Sequence, residues 1–171
     1  VLAPEHPLVD HLTSPDRAAE GEAYRQGAAR SSEIDRLAAD REKTGTWTGG
    51  YCRHPLTGER LPVWIADYVL MTYGTGAVMM VPGHDERDFD LARRYGLPIV
   101  EVIRPAGAPA GPLRAAYTGP GIMVQSGPCD GIVSTGKYLP EEWTEDLAAS
   151  YGLPAELARA GKQVVVAALD R

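Results

Sequence analysis

The sequence predicts an α+β domain in which a barrel-like, mostly antiparallel or mixed β-sheet carries peripheral helices. Short segments rich in β-branched and aromatic residues outnumber the strong helical segments, and no regular alternation of strand and helix appears. The chain has 171 residues, the length of one ordinary domain, so we expect residues 1–171 to form a single domain. Its 19 glycines and 14 prolines divide it into short elements.

The first half of the chain is predicted to form helices and then a β-hairpin. Residues 14–39 are rich in Ala, Glu, Arg and Asp, which favour helix, and Gly27 predicts a break between two helices. Residues 46–52 and 61–70 carry the aromatic and β-branched residues typical of strands. The turn residues between these two segments predict a hairpin.

The second half is predicted to combine short strands with two helices. The helix at 85–95 is the best defined, because acidic residues occupy its first turn, arginines its last turn, and Gly96 follows it. The other predicted elements are strands at 76–81, 97–104 and 121–125, a loop at 130–137 and a helix at 140–151. Residues 154–171 have features of both strand and helix, and the choice between the two stays open.

Charge and composition exclude several classes of protein. The formal net charge of −6 argues against tight unaided binding to nucleic acid. Two cysteines are too few for a disulfide framework, and with four scattered histidines they predict no metal site. No apolar run approaches the roughly 20 residues of a membrane span, and the first residues lack the pattern of a signal peptide. We therefore expect a cytoplasmic protein without a membrane partner.

One stretch near the end of the chain resembles a nucleotide-binding motif only in its spacing. Residues 131–137 fit G-x-x-x-x-G-K, but Tyr138 stands where such a loop needs a Ser or Thr to bind magnesium. Ser134 and Lys137 are spaced like a serine nucleophile and its lysine base, but the companion motifs are absent. A solvated loop is the favoured interpretation.

The segment at 73–88 is more informative about function. Gly74 and Gly76 flank a threonine, and such glycines either let the backbone approach a ligand or form a sharp bend before a strand. Asp85 and Asp88 are three residues apart at a helix start, so they share a face of that helix. Their carboxylates either complement the helix dipole or hold a cation such as an α-ammonium group.

Several segments resemble the editing domain of bacterial-type leucyl-tRNA synthetase. Residues 61–98 include the run Tyr-Gly-Thr-Gly-Ala-Val-Met-Met-Val-Pro-Gly-His-Asp-Glu-Arg-Asp, whose ending separates the leucine family from its isoleucine and valine relatives. Residues 2–8, 42–45, 47–49 and 121–131 are also similar to that domain.

The resemblance implies a barrel-like class I synthetase editing domain that hydrolyses the ester of mischarged tRNA(Leu). Such editing is needed because a hydrophobic pocket separates near-isosteric side chains by only about 1–3 kcal/mol. The implied partners are the tRNA(Leu) 3′ acceptor end carrying a wrong amino acid and the remainder of the parent synthetase, in a monomer. No cofactor is implied for this chain, whereas the parent enzyme would use ATP and Mg.

The resemblance also assigns roles to individual residues. Asp88 matches the aspartate that anchors the α-ammonium group of the substrate, and Asp85 matches a nearby acid; these two are the implied catalytic residues. The implied substrate-binding residues are Met79, Val81, Tyr73, Thr75 and His84. Gln125 and Ser126 match positions near the site.

One family feature is not found in the sequence. The family's threonine-rich strand precedes the segment at 2–8, and this chain begins after it, so we expect weak or no hydrolysis by the isolated chain. Two alternatives therefore stay open: a non-catalytic module that only binds the aminoacylated 3′ end, or a free-standing deacylase acting in trans. No H-x-G-H or K-M-S-K-S segment is present, so we do not expect this chain to activate an amino acid.

Overall fold

The computed structural model describes residues 1–38, 41–55, 57–136, 142 and 144–153. It divides the chain into two compact units, Val1–Met80 and Val81–Arg171. Within the described residues each unit has its own antiparallel sheet, and neither sheet closes into a barrel. The predicted combination of helices and antiparallel strands is therefore confirmed, whereas its barrel-like part is not supported. A single domain over 1–171 stays a prediction.

Helices dominate the start of the first unit. They are α1 (Leu8–Leu12), a 3-10 turn (Pro15–Arg17), α2 (Ala18–Ala28) and α3 (Glu33–Leu37). The predicted break near Gly27 is confirmed, because α2 ends one residue after it. The start of α3 is fixed by a capping box, in which the Ser32 hydroxyl accepts from the Asp35 backbone N–H while the Asp35 carboxylate accepts from that of Ser32.

The predicted hairpin forms from β1 (Gly45–Arg53) and β2 (Arg60–Ala66). A β-bulge interrupts the register between Trp47 and Tyr51. Gly49 lies in this bulge with a φ of 81°, and a Cβ there would come within 2.0 Å of the Ser14 side-chain oxygen. Only glycine fits such a position, which explains one of the two adjacent glycines of β1.

A buried arginine binds the segment that follows the hairpin. Arg36, 4% exposed, donates from its guanidinium to the backbone oxygens of Asp67 and Val69 and to the carboxylate of Glu5. These bonds hold the two residues that follow closely after the end of β2 at Ala66. The prediction of a strand continuing over 67–70 is wrong, since β2 ends at Ala66 and a turn begins at Asp67.

The segment at 76–81 is not a strand, contrary to the prediction. Within the first unit its ladder contact is a single bridge between Ala77 and Leu2. Leu2 also bridges Ile65 of β2, and both lie in the core cluster of this unit with Val9 and Val63. A short apolar run favours a buried strand, but Val78, Met79 and Val81 are exposed, and the backbone hydrogen bonds to residues 1–3 involve just the start of the run.

The second unit contains α4 (Glu86–Tyr95) and a sheet of β3 (Ile103–Arg104), β4 (Gly121–Met123) and β5 (Val133–Ser134). A 3-10 turn (Gly127–Cys129) and α5 (Glu145–Ser150) complete its described elements. The helix predicted at 85–95 is confirmed, with Asp85 as N-cap and Gly96 in the left-handed conformation after its end. The strands predicted at 97–104 and 121–125 are shorter than expected, and β5 replaces part of the loop predicted at 130–137.

Some predictions fall on residues outside the described part of the chain. These are the whole of 154–171, for which the sequence favours neither strand nor helix, and most of the first four residues of the helix predicted at 140–151. The described part of that helix is α5. Among the described residues, no helix has the length and apolar character needed to cross a membrane.

Candidate functional site

The start of α4 carries the two predicted acids, and Asp85 caps the helix. Its Oδ1 accepts the backbone N–H groups of Arg87 at 2.9 Å and Asp88 at 3.1 Å, as an N-cap carboxylate does. The Arg87 guanidinium adds a salt bridge of 2.8 Å to the other oxygen. Burial raises the pKa of the Asp85 carboxyl, but the hydrogen bonds and charge of Arg87 and the Asp88 N–H outweigh it, so the pKa lies below its ordinary value.

Asp88 is the buried acid of the pair, with 5% of its surface exposed. Its Oδ2 accepts the backbone N–H of Val81 at 2.8 Å, which ties α4 to the segment leading into it. Asp residues are almost never this buried unless they are paired, because desolvation of a carboxylate is costly. An ionised carboxylate here presents a strong, oriented acceptor for a cationic group such as an ammonium.

His84 connects the turn before α4 to two other segments of the second unit. Its Nδ1 lies 2.8 Å from the carbonyl oxygen of Tyr117, and its Nε2 lies 2.9 Å from the backbone nitrogens of both Val102 and Ile103. Since a carbonyl only accepts, Nδ1 carries the proton and Nε2 accepts two N–H groups. Burial lowers the pKa of His84, although the Tyr117 carbonyl and the nearby Glu101 act to raise it.

This geometry gives His84 a positioning role. Both ring nitrogens are engaged by backbone groups, so the ring fixes the position of the α4 start rather than presenting a nitrogen to a ligand. Gly83 beside it is required by space, because a Cβ there would come within 2.5 Å of the carbonyl oxygen of Val100. The substrate-binding role of His84 stays a prediction.

The remaining predicted substrate-binding residues divide between the two units. In the first unit, Tyr73 and Met79 are 81% and 56% exposed, so both present apolar surface to solvent. Thr75 lies in the turn between them and makes hydrogen bonds of 3.4 Å with the backbone of Ala77. In the second unit, Val81 is exposed next to the Asp88 carboxylate that binds its N–H.

The late loop predicted to lie near the site makes local contacts within the second unit. Gln125 has a φ of 53°, and its amide donates to the carbonyl oxygen of Glu101 at 3.0 Å. The Ser126 hydroxyl donates to the carbonyl oxygen of Val124, and the Ser126 backbone N–H donates to the carboxylate of Asp130. In the described part of the chain, no group of three or more His, Cys, Asp and Glu side chains is arranged to hold a metal ion.

Sequence reasoning missed two groups that shape the site. Arg87 forms an ion pair with Asp85, and its position two residues after this N-cap could have indicated the pair. The carbonyl of Tyr117 binds His84 across 33 residues, and no local pattern could indicate this contact.

Known proteins similar to this chain are leucine–tRNA ligases. The family model described as leucyl-tRNA synthetase, editing domain, matches residues 1–139. The chain is 57% identical over 135 residues to the leucine–tRNA ligase of Synechococcus sp. (strain JA-3-3Ab), a match that covers 77% of this chain and 16% of the relative. It is 56% identical over 134 residues to that of Rubrobacter xylanophilus, covering 78% of this chain and 16% of the relative.

A solved structure supports the same relationship. The LeuRS of Agrobacterium radiobacter K84, in a ternary complex with tRNA and LeuAMS, matches with a TM-score of 0.50 and 35% identity. That match covers 67% of this chain and 13% of the other. The chain thus spans about one sixth of the length of the curated relatives. On the match over residues 1–139, this chain belongs to the editing-domain family of leucyl-tRNA synthetase.

Proposed function

We propose that this chain hydrolyses the ester bond of mischarged tRNA(Leu), as the proofreading part of a leucine–tRNA ligase. The observation that carries the proposal is the buried carboxylate of Asp88 at the start of α4, inside the segment that matches the editing-domain family. The substrate class and the ammonium-anchoring role of Asp88 both come from the family resemblance, and the burial and orientation of this carboxylate support that role.

Asp88 would hold the one positive charge that every aminoacyl ester presents. The α-ammonium group of the ester forms a charge-assisted hydrogen bond with this carboxylate, which contributes about 1.5–3 kcal/mol. The Val81 N–H fixes one carboxylate oxygen, so the acceptor is oriented before the substrate arrives. With the ammonium held, the ester carbonyl two bonds away has a defined position.

The reaction is then a simple hydrolysis. The oxygen of a water attacks the ester carbonyl carbon, the bond from that carbon to the ribose oxygen breaks, and the ribose oxygen leaves as a hydroxyl with a proton from the water. Holding the ester in position contributes to the rate, since displacements of about 1 Å can cost roughly 100-fold. Asp85 serves this step indirectly, because it caps and orients the helix that carries Asp88.

The finer assignments remain part of the proposal. Met79, Val81, Tyr73 and Thr75 would contact the side chain or the terminal adenosine of the substrate, as the resemblance implies. The parent enzyme, with ATP and Mg, would be a cytoplasmic monomer. Weak or absent activity of the isolated chain also stays a prediction, as does the alternative of a module that only binds the aminoacylated 3′ end.

The experiment measures release of labelled isoleucine from mischarged tRNA(Leu). It uses the chain itself and a leucine–tRNA ligase, such as the Synechococcus relative, in which residues 1–139 of this chain replace the matching segment. Asp88→Asn keeps the size of the side chain and an acceptor for Val81, but removes the charge. Asp90→Asn is the matched control, because Asp90 is an exposed acid two residues further along the same helix.

We expect Asp88→Asn to lower hydrolysis about 100-fold or more while leucylation continues, and Asp90→Asn to leave both unchanged. Wild-type hydrolysis by Asp88→Asn would contradict the ammonium-anchoring role. If neither the wild-type chain nor the ligase that carries its residues 1–139 hydrolyses the ester, but both bind it, this chain is a binding-only module.

A further inference from the structure

The exposed end of the β1–β2 hairpin brings two arginines and a tyrosine onto one face. Arg53 of β1 is directly opposite Arg60 of β2, and Tyr51 is opposite Pro62 in the same register. Paired residues of an antiparallel sheet share a face, and so do residues two apart on one strand. Tyr51, Arg53 and Arg60 therefore project from the same side of the hairpin, and all three are exposed.

The two arginines are placed unfavourably for a protein without a ligand. Like charges directly opposite each other across strands are destabilising. Among the described residues neither arginine forms an ion pair: Arg53 donates to the carbonyl oxygen of Gly58 at 3.3 Å, and the Arg60 guanidinium lies over the Tyr51 ring. In a chain with 23 acidic and 17 basic residues, two facing arginines without a carboxylate indicate a site for an external anion.

Aromatic rings continue this face along the hairpin. The Arg60 guanidinium lies 4.2 Å from the centre of the Tyr51 ring, and Trp47 meets Tyr51 edge to face at 5.7 Å. Arg17 lies at the Trp47 end of this row, with its guanidinium 5.2 Å from the centre of the Trp47 ring. Two aromatic rings thus lie between two guanidinium groups in a row of four, and the exposed Tyr51 ring is a plane on which a base can stack.

The bulge leaves space beside the row. A shallow cavity of about 390 Å³ is lined by Gly49, Gly50, Tyr51, Cys52, Arg53 and Arg60. Its glycines have no side chains to fill it, and both arginines are among the residues that line it. Its volume lies at the lower end of the range of about 300–1,000 Å³ for small-molecule sites, which suits a single nucleotide.

We propose that this face of the hairpin binds a single-stranded segment of RNA, with Arg53 and Arg60 on a phosphate and a base stacked on Tyr51. Stacking planes next to paired cations match the alternation of base and phosphate in a nucleic acid strand. An acidic peptide would satisfy the arginines but would leave the aromatic row unused. The proposal rests on the proposed function for its choice of RNA: the face is a second contact for the tRNA, on the first unit, whereas Asp88 belongs to the second.

The test measures binding of a fluorescein-labelled single-stranded RNA of about 12 nucleotides to the full chain by anisotropy, over a series of salt concentrations. The double variant Arg53→Ala/Arg60→Ala is expected to reduce the slope of log K against log salt by roughly 1.4, because each lost phosphate contact removes about 0.7. Tyr51→Ala is expected to weaken binding about 5- to 150-fold, the effect of one lost base stack. Tyr51→Phe keeps the ring and should bind like the wild type.

The matched control is Arg30→Ala/Arg114→Ala, which removes the same charge from two exposed arginines elsewhere. Equal weakening by both double variants, or no RNA binding by the wild type at low salt, would overturn the proposal. Competition by a polyglutamate peptide as strong as that by RNA would assign the face to an acidic protein instead. Near-ultraviolet circular dichroism checks that each variant is folded.

The design separates this inference from the proposed function. The RNA probe carries no amino acid, so its binding is measured without hydrolysis. Asp88→Asn should bind the probe normally even if it fails to hydrolyse mischarged tRNA. Conversely, the Arg53→Ala/Arg60→Ala variant could hydrolyse mischarged tRNA and bind the RNA probe as the wild type does. That result would overturn the hairpin contact and leave the proposed function intact.

Discussion

The buried carboxylate of Asp88 accepts a 2.8 Å hydrogen bond from the backbone N–H of Val81, seven residues earlier. This contact makes one side chain serve two purposes. It stabilises the connection between α4 and the preceding segment, and it keeps a negative charge oriented beside an exposed valine. The two purposes respond differently to substitution, so stability and hydrolysis must be measured separately.

We predict that Asp88→Ala destabilises the chain much more than Asp88→Asn. Alanine leaves the part-buried Val81 N–H without its acceptor, which costs at most the roughly 1–3 kcal/mol of an unsatisfied buried group. Asparagine keeps a side-chain oxygen for that bond, so its cost should stay below about 1 kcal/mol. Urea unfolding followed by circular dichroism measures both. Equal losses for the two variants would show that the Val81 hydrogen bond is not what stabilises this region.

We predict that Asp85→Ala lowers the free energy of unfolding by about 0.5–2 kcal/mol, the usual loss for an N-cap. The reason is that Asp85 accepts two backbone N–H groups of the first turn of α4. Asp85→Ser, which can still cap, should recover most of this loss. Asp90→Ala, an exposed change in the same helix, should have an effect of less than about 0.5 kcal/mol.

Asp85 also predicts that stability depends on pH in the acidic range. Because the pKa of Asp85 lies below its ordinary value of 3.8 in the folded chain, its contribution is complete above that pH. The contribution is lost as the pH falls below 3.8 and through the folded pKa. Unfolding measured over this acidic range should therefore show a shallower loss in Asp85→Ala than in the wild type. An identical slope would contradict the charged cap.

His84 predicts a second dependence of stability on pH, nearer neutrality. Its pKa lies below the ordinary 6.5 in the folded chain because of burial, so the unfolded chain binds the proton more readily. Protonation of Nε2 would also oppose the two N–H groups of Val102 and Ile103. The contribution of the neutral ring to the free energy of unfolding should thus be complete above pH 6.5. It should decrease as the pH falls below 6.5 and through the pKa of the folded chain.

The measurement compares unfolding midpoints between about pH 5 and 8 for three proteins. His84→Gln removes the titrating ring and should flatten the decrease. His11→Gln changes an exposed histidine and should keep the wild-type slope. A wild-type midpoint that does not change over this range would rule out the neutral, backbone-bound ring.

Local signals explain which elements the sequence could predict. Helix α4 has an N-cap, acids in its first turn, arginines in its last and Gly96 after it, so short-range chemistry alone specifies both of its ends. The hairpin likewise follows from aromatic and β-branched residues on both sides of a turn. The segment at 76–81 failed because an apolar run shows that burial or extension is favourable but does not show whether a neighbouring strand exists.

Contacts that are distant in sequence explain the remainder. No pattern around Arg36 indicates that its guanidinium binds carbonyls 31 and 33 residues later, just after the end of β2. For the site, the spacing of Asp85 and Asp88 did predict a shared helix start. It did not divide their roles, because only the fold shows that Asp85 faces the helix N–H groups and Asp88 is buried against Val81.

The last prediction concerns two glycines of the first unit that look equivalent in the sequence. Gly49 has a φ of 81°, and a Cβ there would come within 2.0 Å of the Ser14 side chain, whereas a Cβ on Gly27 would meet nothing within 4 Å. Gly49→Ala is therefore expected to destabilise the chain by more than about 1 kcal/mol, through backbone strain and the displacement of Ser14. Gly27→Ala, in helix α2, is expected to stabilise it by about 0.5–1 kcal/mol.

The two variants add the same methyl group, so differences in hydrophobicity cancel and the sign reports the local backbone. Urea unfolding of both variants measures the change in the free energy of unfolding, and the salt-dependent RNA assay of Gly49→Ala adds a second readout. Because Gly49 lies in the bulge next to Tyr51, its displacement should also disturb the aromatic row and weaken RNA binding. Destabilisation by Gly27→Ala, or tolerance of Gly49→Ala, would show that the bulge and the helix end differ from the geometry described.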